Sequence, residues 1–387
     1  MLLLLYVQLG NEAHTLVENK QSPDEVWRQI GVFIIREFSV REPRYVRIVL
    51  HGGEPMLMKA ATFDRKMKIL WDLLSAELSI EQLKKVSFSI QTNGMLVTEA
   101  WKESLVRWKV STGVSIDGPA EVHDRQRIDK KGRGTHARVL EGLSSLASFE
   151  GLKSNGLGGL CVIDHTACGR SVYRHLADET ELGGFNFLFP FMNWDTYDQS
   201  VVDGVSRFLV AAFQEWCSDL KVGRYRNVRV FHEAIHSLQF LQQPSWIEEL
   251  TIGHDVVVIE SNGTVMTEES LRPTYRGFFT SVSIGDLSME QLRALPQFQQ
   301  VAKDTYSASD ECFDCALFNA CRSGSRINRV GMRYSSKDEE LRKSVFCSAL
   351  IELYTHAAAF LRLNPSLASK ATLEFLSAVD NIASEVR

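Results

Sequence analysis

The sequence predicts an α/β protein in which a parallel sheet with crossover helices is followed by a four-cysteine module. Three observations predict this fold class. Short strand-like stretches alternate with longer helix-like stretches through the first half of the chain. Polar loops, several of which contain glycine, follow the strand-like stretches. Four of the seven cysteines lie in the last 76 of the 387 residues.

The predicted strands are apolar and rich in β-branched or aromatic residues, and they cover residues 45–51, 86–91, 111–116, 160–163 and 185–190. The predicted helices cover residues 23–38, 60–78, 98–109, 136–149 and 171–181. In parallel α/β folds, sites form at the carboxyl ends of the strands. We therefore expect the chemistry in the loops 51–55, 92–94 and 117–119.

The second half of the sequence has a different pattern. Long helices are predicted over residues 201–220 and 228–241, and another helix is predicted over 288–301. Residues 255–266 contain Asn262-Gly263 between two apolar stretches, which predicts a hairpin. Helical patterns return at residues 346–361 and 365–387.

Composition and charge exclude several classes of function. The chain has 43 Lys and Arg against 48 Asp and Glu, a net charge of −5, so we expect no nucleic-acid partner. The apolar stretch 1–7 is far shorter than the roughly 20 residues of a membrane-spanning helix. It also lacks the basic start and small-residue cleavage site of a signal peptide. We expect a cytoplasmic protein without a membrane partner.

The C-terminal cysteines have the spacing of metal ligands. Cys312 and Cys315 are separated by two residues, Cys321 follows after five, and Cys347 follows after twenty-five more. Four thiolates can complete a zinc site or hold one [4Fe–4S] cluster, and ligand identity alone does not separate the two. We expect the other three cysteines, Cys161, Cys168 and Cys217, to be buried small hydrophobic residues.

Three segments in a fixed order resemble radical SAM enzymes that carry a SPASM extension. They are Val-Leu-His-Gly-Gly-Glu-Pro at 49–55, Ser-Ile-Gln-Thr-Asn-Gly at 89–94, and Gly-Val-Ser-Ile-Asp-Gly-Pro at 113–119 with His123, Asp124 and Arg127. The four C-terminal cysteines resemble the SPASM module. Segments 243–245, 257–263 and 270–271 are similar to the FxSxx-COOH-type peptide maturases. The resemblance covers roughly residues 20–360 and implies an open, partial (β/α) barrel of the radical SAM type with a C-terminal SPASM-like module.

The resemblance also implies roles for the matching residues. The SAM amino group would meet Gly52, Gly53, Glu54 and Pro55. The ribose and methionine parts of SAM would face Gln91, Asn93, Ser115 and Asp117. Arg127 would pair with the SAM carboxylate, a contact that suits the guanidinium group. One [4Fe–4S] cluster, or alternatively zinc, would be held by Cys312, Cys315, Cys321 and Cys347.

The chain departs from this family where the SAM-cleaving cluster would be bound. The family holds that cluster with a Cys-x3-Cys-x2-Cys motif after the first strand, whereas this sequence has no cysteine before Cys161. In one alignment, Tyr6-Val7 follows the motif, Leu5 and Leu2 occupy two ligand positions, and the first ligand position precedes Met1. In the other, residues 1–8 are the strand and residues 10–16 are the loop without ligands.

The SPASM module is reduced as well. A second auxiliary cluster would need a cysteine near position 250, one five positions after Gly263 and one four positions after Cys321. The region near 250 has no cysteine, and the other two positions hold Glu268 and Ser325. The distal four-cysteine site alone would remain, which suggests a role in folding or docking.

We predict a partial barrel over residues 1–225, a helical bridge over 226–250, a SPASM-like metal module over 251–362 and a C-terminal helix over 363–387. The leading hypothesis is a degenerate radical SAM/SPASM-like protein of a natural-product peptide-maturation pathway. It would bind a peptide substrate or a partner maturase and lack the SAM-cleaving cluster, although SAM could still bind. The alternative is an active peptide-modifying enzyme that uses SAM, an unusually ligated cluster or another metal at the barrel mouth.

Two further groups fit metal or acid–base chemistry less well. His232, Glu233 and His236 match the pattern H-E-x-x-H of zinc hydrolases, but the sequence shows no clear third ligand. Glu268-Glu269 could act as a general base, although a solvated turn after the hairpin is the simpler interpretation.

Overall fold

A computed structural model of the protein describes residues 2–8, 22–152, 156–239, 256–268, 270, 279–306, 309–331, 342–367 and 372. The strands are β1 (Leu2–Gln8), β2 (Tyr45–His51), β3 (Val86–Thr92), β4 (Val110–Ser115), β5 (Leu157–Val162), β6 (Gly184–Leu188), β7 (Asn227–Val228), β8 (Val256–Ile259), β9 (Thr264–Met266) and β10 (Phe279–Ser283). The helices are α1 (Asp24–Val40), α2 (Ala60–Glu77), α3 (Ile80–Leu83), α4 (Glu99–Arg107), α5 (Ala120–His123), α6 (His136–Ser148), α7 (Gly169–Arg174), α8 (Gln199–Lys221), α9 (Arg229–Gln239), α10 (Met289–Ala294), α11 (Pro296–Tyr306), α12 (Asp310–Phe313), α13 (Phe318–Cys321) and α14 (Cys347–Leu363).

The chain divides into two compact units. Unit 1 contains Met1–Ser115, Arg138–Gly158 and Thr251–Thr305. Unit 2 contains Ile116–Ala137, Gly159–Leu250 and Tyr306–Arg387. Among the described helices, none combines the length and the apolar character that crossing a membrane would require.

Unit 1 is built on a largely parallel sheet with the strand order β10–β9–β8–β1–β2–β3–β4. The strands β8, β1, β2, β3 and β4 run parallel to one another. The strand β9 pairs antiparallel with both β8 and β10. A parallel sheet needs crossover connections, and α1, α2 and α4 provide them between successive strands. The carboxyl ends of β2, β3 and β4 therefore meet at one edge of the sheet.

The helices of unit 1 bury one face each. In α1, apolar residues recur at helical spacing, and Trp27, Ile30 and Ile34 are fully buried. Asp24 and Glu25 lie in the first turn of α1, where carboxylates interact favourably with the helix dipole. The hydrophobic effect of these buried side chains fixes α1 in the core of unit 1.

The two faces of β3 and β4 differ in chemistry. On one face, apolar residues such as Phe88, Ile90 and Val114 are buried. The opposite face is half-buried and lined by small or polar residues, namely Ser87, Ser89, Gln91, Ser111, Gly113 and Ser115.

Unit 2 carries most of β5 together with β6 and β7, and in its helical group α8 packs against α7 and α14. Its core is aromatic. The ring of Phe231 lies 5.2 Å from Phe213, 5.7 Å from Phe187 and 5.7 Å from Trp216, measured between ring centroids. Tilted and edge-on aromatic contacts of this kind stabilise a core beyond the burial of their area.

The structure confirms the predicted alternation of strands and helices, and it confirms the hairpin as β8 and β9. The single helix predicted over 288–301 is wrong. α10 ends at Ala294 and α11 begins at Pro296, because the residue before a proline is disfavoured in helical conformation. Most of the predicted helix 365–387 lies outside the described residues.

The first strand bears on the two alignments of the N-terminal segment. Residues 2–8 form β1, which pairs in parallel with β2 and β8, and either alignment allows a strand there. Residues 9–21, which contain the loop 10–16, lie outside the described residues. The boundaries predicted for the barrel, bridge, metal module and C-terminal helix stay predictions.

Candidate functional site

The loop after β2 has a backbone that requires glycine. Gly52 and Gly53 have φ angles of 90° and 54°, in the left-handed region that side chains disfavour. The chain then enters a short 3-10 helix, Pro55–Leu57, with Glu54 as its N-cap. The sequence signal Gly-Gly-Glu-Pro thus folds into a tight turn at the carboxyl end of β2.

The carboxylate of Glu54 connects this turn to the loop after β3. One oxygen accepts hydrogen bonds from the N–H of Met56 at 2.9 Å and from the hydroxyl of Thr92 at 2.7 Å. The other accepts from the N–H of Asn93 at 2.7 Å. Three of the roughly four acceptor positions of a carboxylate are therefore used within the protein. Glu54 acts first as the group that holds the two loops together.

Gln91 and Ser115 lie side by side on β3 and β4. The amide of Gln91 donates a hydrogen bond to the hydroxyl of Ser115 at 3.0 Å. Gly113, on the same face of β4, leaves space for this pair, because a Cβ there would lie 2.2 Å from Oε1 of Gln91. The side chain of Asn93 accepts from the N–H of Met95 at 3.0 Å, which fixes the turn after β3.

In unit 2, Asp117 and Arg127 form a bidentate ion pair. Nη2 of Arg127 donates to one carboxylate oxygen of Asp117 at 3.1 Å, and Nε donates to the other. Asp117 also accepts a hydrogen bond from the N–H of Val162 at 2.9 Å. The guanidinium group that the resemblance assigns to the SAM carboxylate is thus oriented by a carboxylate of this chain, with part of its surface exposed.

The fully buried histidine His123 is hydrogen-bonded close to both residues of this ion pair. Nδ1 of His123 accepts from the N–H of Asp117 at 3.2 Å, and Nε2 lies 3.0 Å from the hydroxyl of Thr135. That hydroxyl donates to the carbonyl oxygen of Arg127 at 2.8 Å, so Nε2 of His123 must be the donor to it. His123 is therefore neutral, and burial lowers its pKa to about 4. Sequence reasoning assigned no role to His123 or Thr135.

Two more histidines, His136 and His175, form a second group of polar contacts in unit 2. Nε2 of His136 lies 3.1 Å from Nε2 of His175, and Nδ1 of His175 lies 2.9 Å from a carboxylate oxygen of Glu179. His175 and Glu179 belong to a π-helical turn, a local irregularity that is frequent at functional sites. Burial and the neighbouring His175 lower the pKa of His136.

The four C-terminal cysteines line one pocket of unit 2. Cys312, Cys315, Cys321 and Cys347 share it with Glu311, Lys343 and apolar side chains that include Leu317, Leu350 and Tyr354. Cys312 and Cys315 come from α12 and the turn after it, Cys321 ends α13, and Cys347 begins α14. The predicted spacing therefore brings the four thiols to one place.

The backbone beside Cys321 adopts a left-handed conformation over three consecutive residues. Arg322, Ser323 and Gly324 have consecutive positive φ angles of 52°, 63° and 73°. The N–H of Arg322 donates to the carbonyl oxygen of Phe318 at 2.8 Å, and the N–H of Gly324 donates to that of Cys321 at 3.1 Å. The N–H of Ser323 stabilises the thiolate of Cys321, and the hydroxyl of Ser309 donates to the sulfur of Cys312 at 3.4 Å.

Without a bound cation, Cys321 and Cys347 favour the neutral thiol. Burial raises the pKa of Cys321 to about 12, with further increases from Cys347, Cys315 and Cys312. Burial also raises the pKa of Cys347. A metal or cluster would have to displace these protons, as it does at other thiolate sites.

The arrangement of the thiols bears on the choice between zinc and a cluster. In the part of the chain that the structure describes, no group of three or more His, Cys, Asp or Glu side chains is gathered around a point where one metal ion would fit. A tetrahedral zinc site with Zn–S bonds of about 2.3 Å would bring its four sulfurs within about 3.8 Å of one another. A [4Fe–4S] cube binds each cysteine at a different iron and accepts a wider ring of sulfurs. Four thiols at one pocket fit a [4Fe–4S] cluster or zinc, and the assignment of a cluster stays a prediction.

The remaining candidates gain little from the structure. Glu268 accepts a hydrogen bond from Ser270, and Glu269 lies outside the described residues. His232 and His236 lie on α9 as predicted, but no third ligand joins them among the described side chains.

Of the three other cysteines, Cys161 is buried and Cys217 is half-buried. The prediction for Cys168 is wrong, because it is exposed at the residue before α7.

Curated relatives of the chain are anaerobic sulfatase-maturating enzymes. The cysteine-type enzyme of Clostridium perfringens is 26% identical over 313 residues, which are 79% of this chain and 80% of the relative. The serine-type enzyme of Bacteroides thetaiotaomicron is 22% identical over 366 residues, which are 88% of this chain and 83% of the relative. No protein-family model matches the chain.

Solved structures of anSMEcpe share the fold of this chain. Native anSMEcpe with bound AdoMet and the Kp18Cys peptide matches with a TM-score of 0.76 and 21% identity, over 95% of this chain and 99% of that chain. Native anSMEcpe with bound AdoMet matches with a TM-score of 0.73 and 22% identity, over 95% and 99% of the two chains. The match confirms the predicted fold class, an α/β fold with a largely parallel sheet.

Proposed function

We propose that this chain is a peptide-binding relative of the radical SAM/SPASM maturases that holds one C-terminal [4Fe–4S] cluster and has no SAM-cleaving cluster. It would act in a natural-product peptide-maturation pathway, on a peptide substrate or together with a partner maturase. The relatives act in protein maturation, as their names state, and solved anSMEcpe structures contain a bound peptide.

One observation carries the proposal. The segment that follows β1, residues 9–21, contains no cysteine, and the first cysteine of the sequence is Cys161. One-electron cleavage of SAM needs a cluster at which SAM is bound and reduced, and cysteine thiolates are the ligands of such clusters. The loops assigned to SAM are nevertheless present in the order that the resemblance implies. We infer that the protein retains the loops assigned to SAM but lacks the cluster that would supply the electron for SAM cleavage.

The residues of this chain would act in binding and positioning. The polar face of β3 and β4 would meet the ribose and methionine parts of SAM, with Glu54 keeping the loops after β2 and β3 in place. Arg127 would bind the SAM carboxylate while Asp117 fixes the orientation of its guanidinium group. A cluster at the four cysteines would supply one-electron chemistry when bound, and Ser309 and Ser323 would stabilise its thiolates.

Metal analysis of anaerobically purified protein tests the proposal. We expect about four irons per chain, a [4Fe–4S] absorbance spectrum and no 5′-deoxyadenosine when SAM and dithionite are added. About eight irons per chain, or formation of 5′-deoxyadenosine, would overturn the proposal in favour of the active enzyme. One zinc ion and no iron would show that the cofactor assignment is wrong.

A pair of cysteine variants tests the ligand assignment. Cys315→Ser should lose the iron and lower the stability of unit 2, because one thiolate of the pocket is removed. Cys168→Ser is the matched control, since Cys168 is exposed and far in sequence from the pocket. A Cys315→Ser protein that keeps its full iron content would contradict the assignment.

The second candidate is an active peptide-modifying enzyme that uses SAM at the barrel mouth. The intact hydrogen bonds of Glu54 to Thr92 and Asn93 favour it, because they preserve the loops that would bind SAM. Incubation of the protein with SAM and a candidate peptide, followed by mass spectrometry of the peptide, separates the two. A mass change of the peptide would support this candidate.

We also propose a cytoplasmic location. All seven cysteines are free thiols, and iron–sulfur ligands need a compartment that keeps thiols reduced.

A further inference from the structure

An ion pair lies at the four-cysteine pocket. Nζ of Lys343 is 3.2 Å from a carboxylate oxygen of Glu311, and both residues line the pocket. Glu311 directly precedes Cys312, and Lys343 lies four residues before Cys347. The ion pair therefore joins the two chain segments that deliver the first and the last cysteine of the site.

The position of Lys343 is fixed by its neighbours. The indole N–H of Trp194 donates a hydrogen bond to the carbonyl oxygen of Lys343 at 3.0 Å. The guanidinium group of Arg342 lies over the ring of Trp194, 4.8 Å from its centroid. Ser344 is buried, and its hydroxyl accepts from the N–H of Phe346 at 3.1 Å. These contacts hold the backbone on both sides of Lys343.

The ammonium group of Lys343 acts electrostatically on the cysteines. Its pKa is raised first by the hydrogen bond to Glu311, and the charges of Glu311, Cys347 and Cys312 raise it further. Among the described residues that line the pocket, Lys343 is the one with a basic side chain.

We propose that Lys343 is a positioning residue that raises the reduction potential of the cluster held by the four cysteines, and that Glu311 limits this effect. This inference rests on the proposed function, because it needs a [4Fe–4S] cluster at the site. Reduction adds one electron, and thus one negative charge, to the cluster and its four thiolates. A fixed ammonium group nearby stabilises that extra charge, and a carboxylate beside the ammonium group weakens the effect.

Three variants and one titration test the inference. The wild type, Lys343→Met, Lys343→Arg and Glu311→Gln are purified anaerobically, and iron per chain is measured first. The midpoint potential of each cluster is then measured by stepwise reduction with dithionite, followed by the paramagnetic resonance signal of the reduced cluster. We expect a lower potential for Lys343→Met, a higher potential for Glu311→Gln and a potential close to that of the wild type for Lys343→Arg.

Opposite shifts of the midpoint potential in Lys343→Met and Glu311→Gln distinguish an electrostatic effect on the cluster from a purely structural role of the ion pair. Lys343→Met and Glu311→Gln both break the ion pair, so a purely structural role would change iron content in the same direction in both and shift neither potential. Full iron content with unchanged potentials, or loss of iron from all three variants, would overturn the inference. If Lys343→Met is the one variant that loses iron, the test depends on Glu311→Gln. A midpoint potential of Glu311→Gln that is no higher than that of the wild type would then overturn the inference.

The wild type separates failure of this inference from failure of the proposed function. A wild-type protein with zinc or no metal at the four cysteines would overturn both, whereas an iron-loaded wild type whose variants keep its potential would overturn the role of Lys343 alone.

Discussion

The backbone N–H of Asp117 donates a hydrogen bond to Nδ1 of His123 at 3.2 Å. This bond forms only when Nδ1 carries no proton, and Nε2 is already used as a donor to Thr135. Folding of this part of unit 2 therefore selects one tautomer of a neutral histidine. The loop that presents the Asp117–Arg127 ion pair depends on that selection.

Stability should fall as the pH is lowered through the range set by His123. An unfolded histidine binds a proton near pH 6.5, whereas burial lowers the pKa of native His123 to about 4. Between these values the unfolded state binds more protons, so the free energy of unfolding decreases as the pH falls from 6.5 to 4. The decrease should be on the order of 3 kcal/mol, from 1.36 kcal/mol for each pKa unit. Urea unfolding at several pH values measures it.

His123→Gln provides the decisive comparison. The amide does not titrate, so this variant should be less stable at pH 7 and should show a weaker pH dependence between 6.5 and 4. The groups that face His123 are Asp117, Arg127, His136 and Asp124, and all of them remain in the variant. His165→Gln, in the half-buried loop before α7, is the control. An unchanged pH dependence in His123→Gln would show that another group is responsible.

The packing of α6 against the loop after β3 leaves no space for a side chain at Gly142. A Cβ there would lie 1.9 Å from the carbonyl oxygen of Gly94. Helix propensity alone favours alanine over glycine by about 1 kcal/mol. Separation of two backbone segments costs more, and we expect Gly142→Ala to lower the free energy of unfolding by about 2 kcal/mol. Thermal and urea unfolding measure the change.

Gly31→Ala is the matched control in the same unit. Gly31 also lies inside a helix, but the nearest atom to its Cβ would be Cδ1 of Leu73 at 3.2 Å, at the flexible end of a side chain. This variant should change stability by less than about 1 kcal/mol. Equal losses in the two variants would contradict the steric explanation.

A buried carboxylate organises α7 and α8. Asp219 is almost fully buried and accepts from the hydroxyl of Tyr173 at 2.8 Å, from Arg174 at 2.8 Å and from Arg224 at 2.6 Å. Asp219→Ala would leave a buried hydroxyl without its acceptor, and both arginines would lose a partner. We expect a loss of about 3 kcal/mol in the free energy of unfolding.

Asp178→Ala is the control for that loss. Asp178 also pairs with Arg174, at 3.5 Å, but its side chain is 40% exposed. Exposed ion pairs contribute less than about 1 kcal/mol, so this variant should be close to the wild type in urea unfolding. A similar effect of both variants would show that burial of Asp219 is not the cause.

The order of strands and helices could be predicted from the sequence because it depends on local patterns. Apolar residues alternate in β3 with period two and recur in α1 at helical spacing, so each element shows its buried face. The position of the loops 51–55 and 92–94 at one edge of the sheet then follows from parallel pairing.

Contacts within the site depend on pairings that local patterns do not contain. The carboxylate of Glu54 meets Thr92 across 38 residues, and His136 meets His175 across 39. Neither of these sequence separations produces a periodic pattern of residues from which the contact could be predicted. The positive φ angles of Arg322 and Ser323 could not be predicted for another reason. Residues other than glycine rarely adopt positive φ, so these residue types give no indication of it. By contrast, the break before Pro296 had a sequence signal in the proline itself.

The close approach of Gly113 to Gln91 leads to a prediction that separates binding from folding. Gly113→Ala would place a Cβ 2.2 Å from Oε1 of Gln91, which lies at the flexible end of its side chain and can move away. The hydrogen bond from Gln91 to Ser115 would break, at a cost of about 1 kcal/mol. Thermal unfolding should therefore change little, whereas SAM affinity, measured by calorimetry, should fall about tenfold if one hydrogen-bonding group is displaced from the ligand.

Ser111→Ala on the same face of β4 is the control for Gly113→Ala. It removes the hydrogen bond from Ser111 to the carbonyl oxygen of Phe88 at 3.3 Å and adds no atom near Gln91. The side-chain amide resonance of Gln91 should shift in Gly113→Ala and stay in place in Ser111→Ala, with or without SAM. An unshifted resonance in Gly113→Ala would show that β4 moves instead of Gln91. A shifted resonance with wild-type SAM affinity would remove Gln91 from the proposed SAM site, because its displacement would then cost the ligand nothing.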